Sequence, residues 1–213
     1  SSTDAPVVEP TETTAVVTST EATTEATTEA RSETASEAAI DGPQVTGDVT
    51  IALADIQAAY PAGLNDGDVL ADGVSIINGG STFSYKTNAL SFNNGELSLT
   101  GAFQIGKGNK TITSTTVGSV LGETEVIEKG IKFNVAGPGK LTVYAGLGSS
   151  GLTTAPVILI DLSTNTVVAS TTVERPDTSK GEYIVTPIDI PAAGQYAYVQ
   201  PGNISSLNVG QIN

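Results

Sequence analysis

Three groups of residues carry side chains that could do chemistry. Between Leu64 and Gly73 the run LNDGDVLADG sets Asp66, Asp68 and Asp72 beside Asn65 in a glycine-rich loop. Calcium takes several oxygen ligands from loops of this kind. The EF-hand spacing fails, because Leu70 stands where the third oxygen ligand would be. Asp66, Asp68 and Asp72 are therefore expected either to hold a structural calcium or to form a solvated turn. A second group, Glu123, Glu125 and Glu128, offers carboxylate pairs of the type that hydrolyse glycosides. Any acidic chain offers such pairs, and this stretch reads as a polar loop. The third group is aromatic. Sugar rings stack on aromatic faces while polar groups fix their orientation. Without tryptophan, the candidates are Tyr85, Tyr144, Tyr183, Tyr196 and Tyr198.

Several chemistries are excluded by composition. The 213 residues include no Cys, His, Met or Trp. Disulfides, thiol nucleophiles, Cys/His zinc sites and histidine acid–base relays are therefore absent. A formal charge of −14 and a pI near 4.1 argue against nucleic acid, which is gripped through clustered Lys and Arg. No apolar run approaches the length that spans a bilayer, so no transmembrane segment is expected. The chain begins at Ser1, as a mature product would, with a lipid or wall anchor expected upstream of it.

The elements that must position these residues fall into two regions. Residues 1–44 form a low-complexity acidic stretch, with nine Asp or Glu and one Arg up to Asp41 and glutamates at 21, 25, 29, 33 and 37. On a helix those carboxylates would stack on one face and repel, and the intervening threonines are poor helix formers. The region reads as a disordered or extended Thr/Glu-rich arm, since little apolar surface offsets the entropy of ordering. Its role is that of a spacer or stalk, whose threonines suit O-linked sugars. Val7–Val8 and Ala15–Val17 are β-prone patches that could pair with a neighbour's sheet edge.

Residues 45–213 change to short β-branched runs separated by Gly, Asn and Pro, at a spacing that predicts an all-β, antiparallel β-sandwich of jelly-roll type. Thr50–Tyr60 is the exception, where Ile51, Leu53, Ile56 and Ala59 fit a helical turn ended by Pro61. KTITSTTV, from Lys110 to Val117, is expected to be a strand. Ile131, Phe133 and Val135 alternate with Lys132 and Asn134; then Gly137-Pro138-Gly139 turns the chain and Leu141, Val143 and Ala145 resume the buried face. This predicts a hairpin with Tyr144 facing outward beside Lys132, where the lysine could pair with an acidic sugar. The continuous Val157-Ile158-Leu159-Ile160 run predicts a strand covered on both faces. Residues 188–212 read as a closing pair of strands, with Tyr196 and Tyr198 on one face.

GIKFNVAGPGKLTVYAGLGSSG, PVILIDLSTNTVVAST and IPAAGQYAYVQPGNISSLNVGQI together resemble the accessory β-sandwich domain appended to secreted pectate lyases and surface proteins of plant-fibre-degrading anaerobic bacteria. The likeness runs over roughly residues 68–212. It implies a jelly-roll module that binds carbohydrate and catalyses nothing; the aromatic and alternation patterns of the residues themselves make Tyr144, Lys132, Tyr183, Tyr196 and Tyr198 the ligand-binding candidates. The expected protein is extracellular, secreted or tethered to a cell surface. Its partner is either a plant or host polysaccharide or other copies of itself, the latter as a filament or surface-layer subunit completed by the N-terminal arm.

Overall fold

The computed structural model describes residues 41–92, 97–149, 151–176 and 182–213; the expectations for residues 1–40 lie outside them. In chain order the elements are β1 (Ile51–Ala52), α1 (Leu53–Ala59), β2 (Val69–Ala71), β3 (Val74–Asn78), β4 (Tyr85–Phe92), β5 (Ser98–Ile105), β6 (Lys129–Val135), β7 (Gly139–Leu141), β8 (Val143–Leu147), β9 (Thr154–Asp161), β10 (Thr166–Glu174), β11 (Glu182–Tyr183), β12 (Ile188–Ile190), β13 (Gly194–Val199) and β14 (Leu207–Ile212). The fold is an antiparallel β-sandwich. One sheet runs β10-β9-β13-β6-β3-β2. The other runs β8-β14-β5-β4-β11, with β1 beside the end of β14 and only β11 parallel to its neighbour.

Alternation explains the core. Ile131, Phe133 and Val135 of β6 and Val143, Ala145 and Leu147 of β8 face one shared interior, joined there by Leu159, Tyr196, Tyr198 and Val209. The expected helical turn forms as α1, ends at Tyr60, and buries Leu53 and Ile56. Tyr60 then protects a sheet edge. Its hydroxyl donates to the Val69 carbonyl and accepts from the Val69 amide, each at 2.9 Å, occupying the open side of β2.

The doubly covered strand is β9. Val157 and Leu159 face the inter-sheet core, while Ile158 and Ile160 face the opposite side. There they join Ile112, Val167, Ala197 and Val199, with Leu121 and Ile127 closing over them. The cover is the segment 106–128, and this corrects the expected strand at Lys110–Val117. Its amides are taken elsewhere: Glu125 Oε1 accepts from Thr113 N at 2.8 Å and Ser114 N at 2.9 Å, and Asn109 O accepts from Ile112 N. A residue run rich in β-branched side chains thus becomes a lid, because the donors of Ile112, Thr113 and Ser114 are satisfied by a local turn and by the Glu125 carboxylate rather than by a ladder.

Two expected hairpins are also corrected. β6 lies in the first sheet between β13 and β3, whereas β8 lies in the second sheet against β14. The Gly137–Gly139 turn therefore carries the chain across the sandwich, and Lys132 and Tyr144 are not neighbours. Lys132 pairs in register with Ser75 and Ala197, and Tyr144 with Gln211. Likewise β13 and β14 belong to opposite sheets instead of pairing with each other.

Candidate binding cleft

Most of the sequence-predicted site residues have structural work. Tyr183, Tyr196 and Tyr198 are each only 2 % exposed, which removes them from any surface that could stack on a sugar. The Tyr183 ring lies against Gly146, its hydroxyl donates to the Leu147 carbonyl at 3.1 Å, and the Arg175 guanidinium sits 5.9 Å from its centroid. Tyr196 donates to the Ala192 carbonyl at 2.9 Å. Burial pushes the Tyr198 hydroxyl's pKa well above its ordinary value. Tyr144 remains half-buried on β8, and Tyr85 donates to the Tyr60 carbonyl at 2.6 Å.

The three aspartates are not brought together as a ligand set. Asp66 Oδ1 accepts from the Asn78 amide at 2.8 Å and Asp68 Oδ2 from the Asn65 amide at 2.7 Å, while Asp72 is exposed. Buried Asn78 completes the latch by donating to the Leu64 and Ser81 carbonyls. Among the described residues no group of three or more His, Cys, Asp or Glu side chains is arranged to hold a metal.

Of the three glutamates, Glu125 is the one with an organised environment. Its carboxylate accepts from the Gly122, Thr113 and Ser114 amides and from the Ser114 hydroxyl. Those donors hold its pKa down from 4.5 to about 2, the backbone bond from Gly122 being the largest cause. The second anchor of the 106–128 segment is Asn109, buried and at φ +58°, a conformation asparagine tolerates better than most residues. Its side chain donates to the Lys129 and Gln200 carbonyls and accepts from the Glu128 and Lys129 amides. Both side chains stabilise the lid.

The feature with binding geometry was not foreseen. A cleft of about 720 Å³ opens between the two sheets, with Val74, Phe133 and Val135 from one and Ile51, Ile212 and Asn213 from the other. That volume is within the range of ligand sites. Its two walls are chain segments that cross between the sheets, Val45–Ile51 on one side and Ala136–Thr142 on the other. Val45 is bridged to Val135 of β6, and Ile51 pairs with Ile212 of β14. Opposite, β7 and β8 read as one strand through Thr142, since Leu141 and Val143 are both buried and Thr142 is not. β12 flanks that strand along Gly139–Leu141, and β14 flanks its other edge from Thr142 onward.

The backbone directions give this cleft strand-like walls. Thr142 exchanges both backbone bonds with Asn213 at 2.9 Å, so its amide and carbonyl point to the β14 side. Two residues earlier, Lys140 must point the same way, into the cleft, because backbone groups alternate sides along a strand. On the other wall Gly47–Thr50 make no backbone hydrogen bond among the described residues. Both walls are antiparallel to β14, which pairs with β1 and with β8. The only sequence signal for the cleft was Gly137-Pro138-Gly139, which reads equally well as a hairpin turn.

The fold and cleft define an all-β sandwich with an apolar inter-sheet slot. No family model matches the chain, and no curated protein matches it. No helix among the described residues is long and apolar enough to cross a membrane.

Proposed function

We propose that this chain is a non-catalytic, extracellular structural module that associates with further copies of itself, its cleft receiving an extended segment from a neighbour. The observation that supports this is the cleft between the sheets: an apolar floor, a backbone edge at Lys140 on one wall, and Gly47–Thr50 on the other, which make no backbone hydrogen bond among the described residues. Exposed strand edges of this kind pair readily with another chain, and main-chain bonds then supply affinity while alternate side chains supply specificity. The test is the mass of the full chain by sedimentation, compared with a chain lacking residues 1–42. Oligomers of the full chain that fall to monomers on deletion support the reading; monomers in both overturn arm-driven association.

A second reading, binding of a plant or host polysaccharide, is favoured by one surface strip. Tyr144 lies in register with Gln211, and nearby Asn208 accepts from Gln104 Nε2 at 2.9 Å, an aromatic and amide combination suited to hydroxyl-rich rings. Retardation in a polysaccharide gel that Tyr144→Ala abolishes supports it, and equal migration of both proteins counts against it.

A further inference from the structure

We infer that the lid is a separable cooperative unit: residues 110–127 unfold locally as one while the sandwich beneath stays folded, baring an apolar patch on the outer face of the first sheet. The feet of the lid are tied to each other. Asn109 donates to the Lys129 carbonyl at 2.7 Å and accepts from the Glu128 and Lys129 amides, and the Lys129 ammonium donates to the Lys107 carbonyl at 2.8 Å. Glycine at 108 lets the feet close, since a Cβ there would lie 2.7 Å from Lys129 Cδ. Asn109 also donates to the Gln200 carbonyl, which fixes the feet to the body. Release of the segment between them therefore pulls on neither β5 nor β6.

Bonds within the segment make its opening all-or-none. Thr111 Oγ1 accepts from the Val126 amide at 2.9 Å, and the Glu125 carboxylate gathers the Thr113, Ser114 and Gly122 amides, so the two limbs hold each other. Attachment to the sandwich is slight by comparison. Among the described residues, three backbone bonds of 2.8 Å join the segment to the start of β10: Gly118 amide to Val167 carbonyl, Val167 amide to Ser119 carbonyl, and Leu121 amide to Asn165 carbonyl. Its side chains add Ile112, Leu121 and Ile127 to the cluster over Ile158, Ile160, Val167, Ala197 and Val199, and none to the core between the sheets. That separation decides the matter. The inter-sheet core loses no apolar side chain when the lid leaves, and a local opening costs only the contacts it breaks.

Native-state hydrogen exchange of the full chain in rising, sub-denaturing urea tests this, because the urea dependence of an opening reports the surface it exposes. The amides of Thr113, Ser114, Gly118 and Leu121 are expected to share one shallow dependence. Without urea their protection is expected to be at least about tenfold lower than that of the β13 amides, whose dependence is steep. Glu125→Gln should speed exchange at Gly118 and Leu121, which its side chain does not touch, by about tenfold, as one cooperative unit requires. Val209→Ala, a change in the inter-sheet core on the second sheet, should speed the β13 amides and leave Gly118 and Leu121 within about twofold. Should that variant not fold, the urea series and Glu125→Gln decide. Lid amides that share the steep dependence of β13 open only with the whole fold, and lid amides with unrelated dependences fray one by one; either result overturns the inference. So does a Glu125→Gln chain in which Gly118 and Leu121 exchange as before.

Discussion

Replacing Glu125 by glutamine tests whether the 106–128 segment is held as a structured lid. In the wild-type chain both carboxylate oxygens accept, Oε2 from the Gly122 amide at 2.6 Å and Oε1 from Thr113 and Ser114. Glutamine presents an NH₂ group to one of these sites, so at least one amide loses its acceptor. Lowering the carboxyl from 4.5 to about 2 corresponds to about 3 kcal/mol for a fully desolvated group, and solvent screening at this partly exposed position leaves about 1–2 kcal/mol. The sign follows from the depression. The stabilisation is complete above pH 4.5 and is lost as pH falls through about 2. Urea unfolding should therefore show Glu125→Gln less stable by about 1–2 kcal/mol at pH 7, and the gap should shrink to roughly half or less at pH 3. Equal stability at pH 7, or a gap unchanged at pH 3, would refute the assignment of Glu125 as the lid's anchor.

Other outcomes follow from the same structure. Gly146→Ala places a Cβ 2.7 Å from the Tyr183 ring, and thermal unfolding should show a loss of about 1–3 kcal/mol through overpacking. Burial keeps Tyr198 un-ionised in the folded state above its ordinary 10.0, whereas in the unfolded chain it ionises there. Its contribution is thus complete below pH 10 and declines as pH rises, so alkaline absorbance titration should show a tyrosinate jump at unfolding that Tyr198→Phe diminishes. Because the full chain carries a charge of −14, association of copies is opposed by like charge, and added salt should raise the oligomer fraction in sedimentation. A fall with salt would indicate attraction between opposite charges instead.

What the sequence made legible was periodic. Lys132 and Asn134 alternating with Ile131, Phe133 and Val135 set the faces of β6 correctly, and the unbroken Val157–Ile160 run announced a strand covered on both sides. Connectivity was less visible, because Gly137-Pro138-Gly139 turns a hairpin and a sheet-to-sheet crossing with the same residues. That ambiguity separated Lys132 from Tyr144. Tyr196 and Tyr198 share a face with two acceptable orientations, since Ala197 and Val199 suit a core as well; the lid over the opposite face, where Ile112 packs with Ala197 and Val199, decided between them. The lid itself was masked by its composition, as Thr111 to Thr116 has strand propensity that a single distant carboxylate overrides. Beyond the ambiguous Gly137-Pro138-Gly139 turn the cleft left no mark in the sequence, since it is made by the relative placement of two crossings far apart along the chain.

Hydrogen exchange at the Lys140 amide tests the central claim most directly, because that group faces the cleft. In the full chain at an assembling concentration it should be protected, together with amides among Gly47–Thr50, and both should exchange freely on dilution or when residues 1–42 are removed. Exchange that stays the same in all three conditions, while the oligomers form and dissociate, would contradict a strand in the slot.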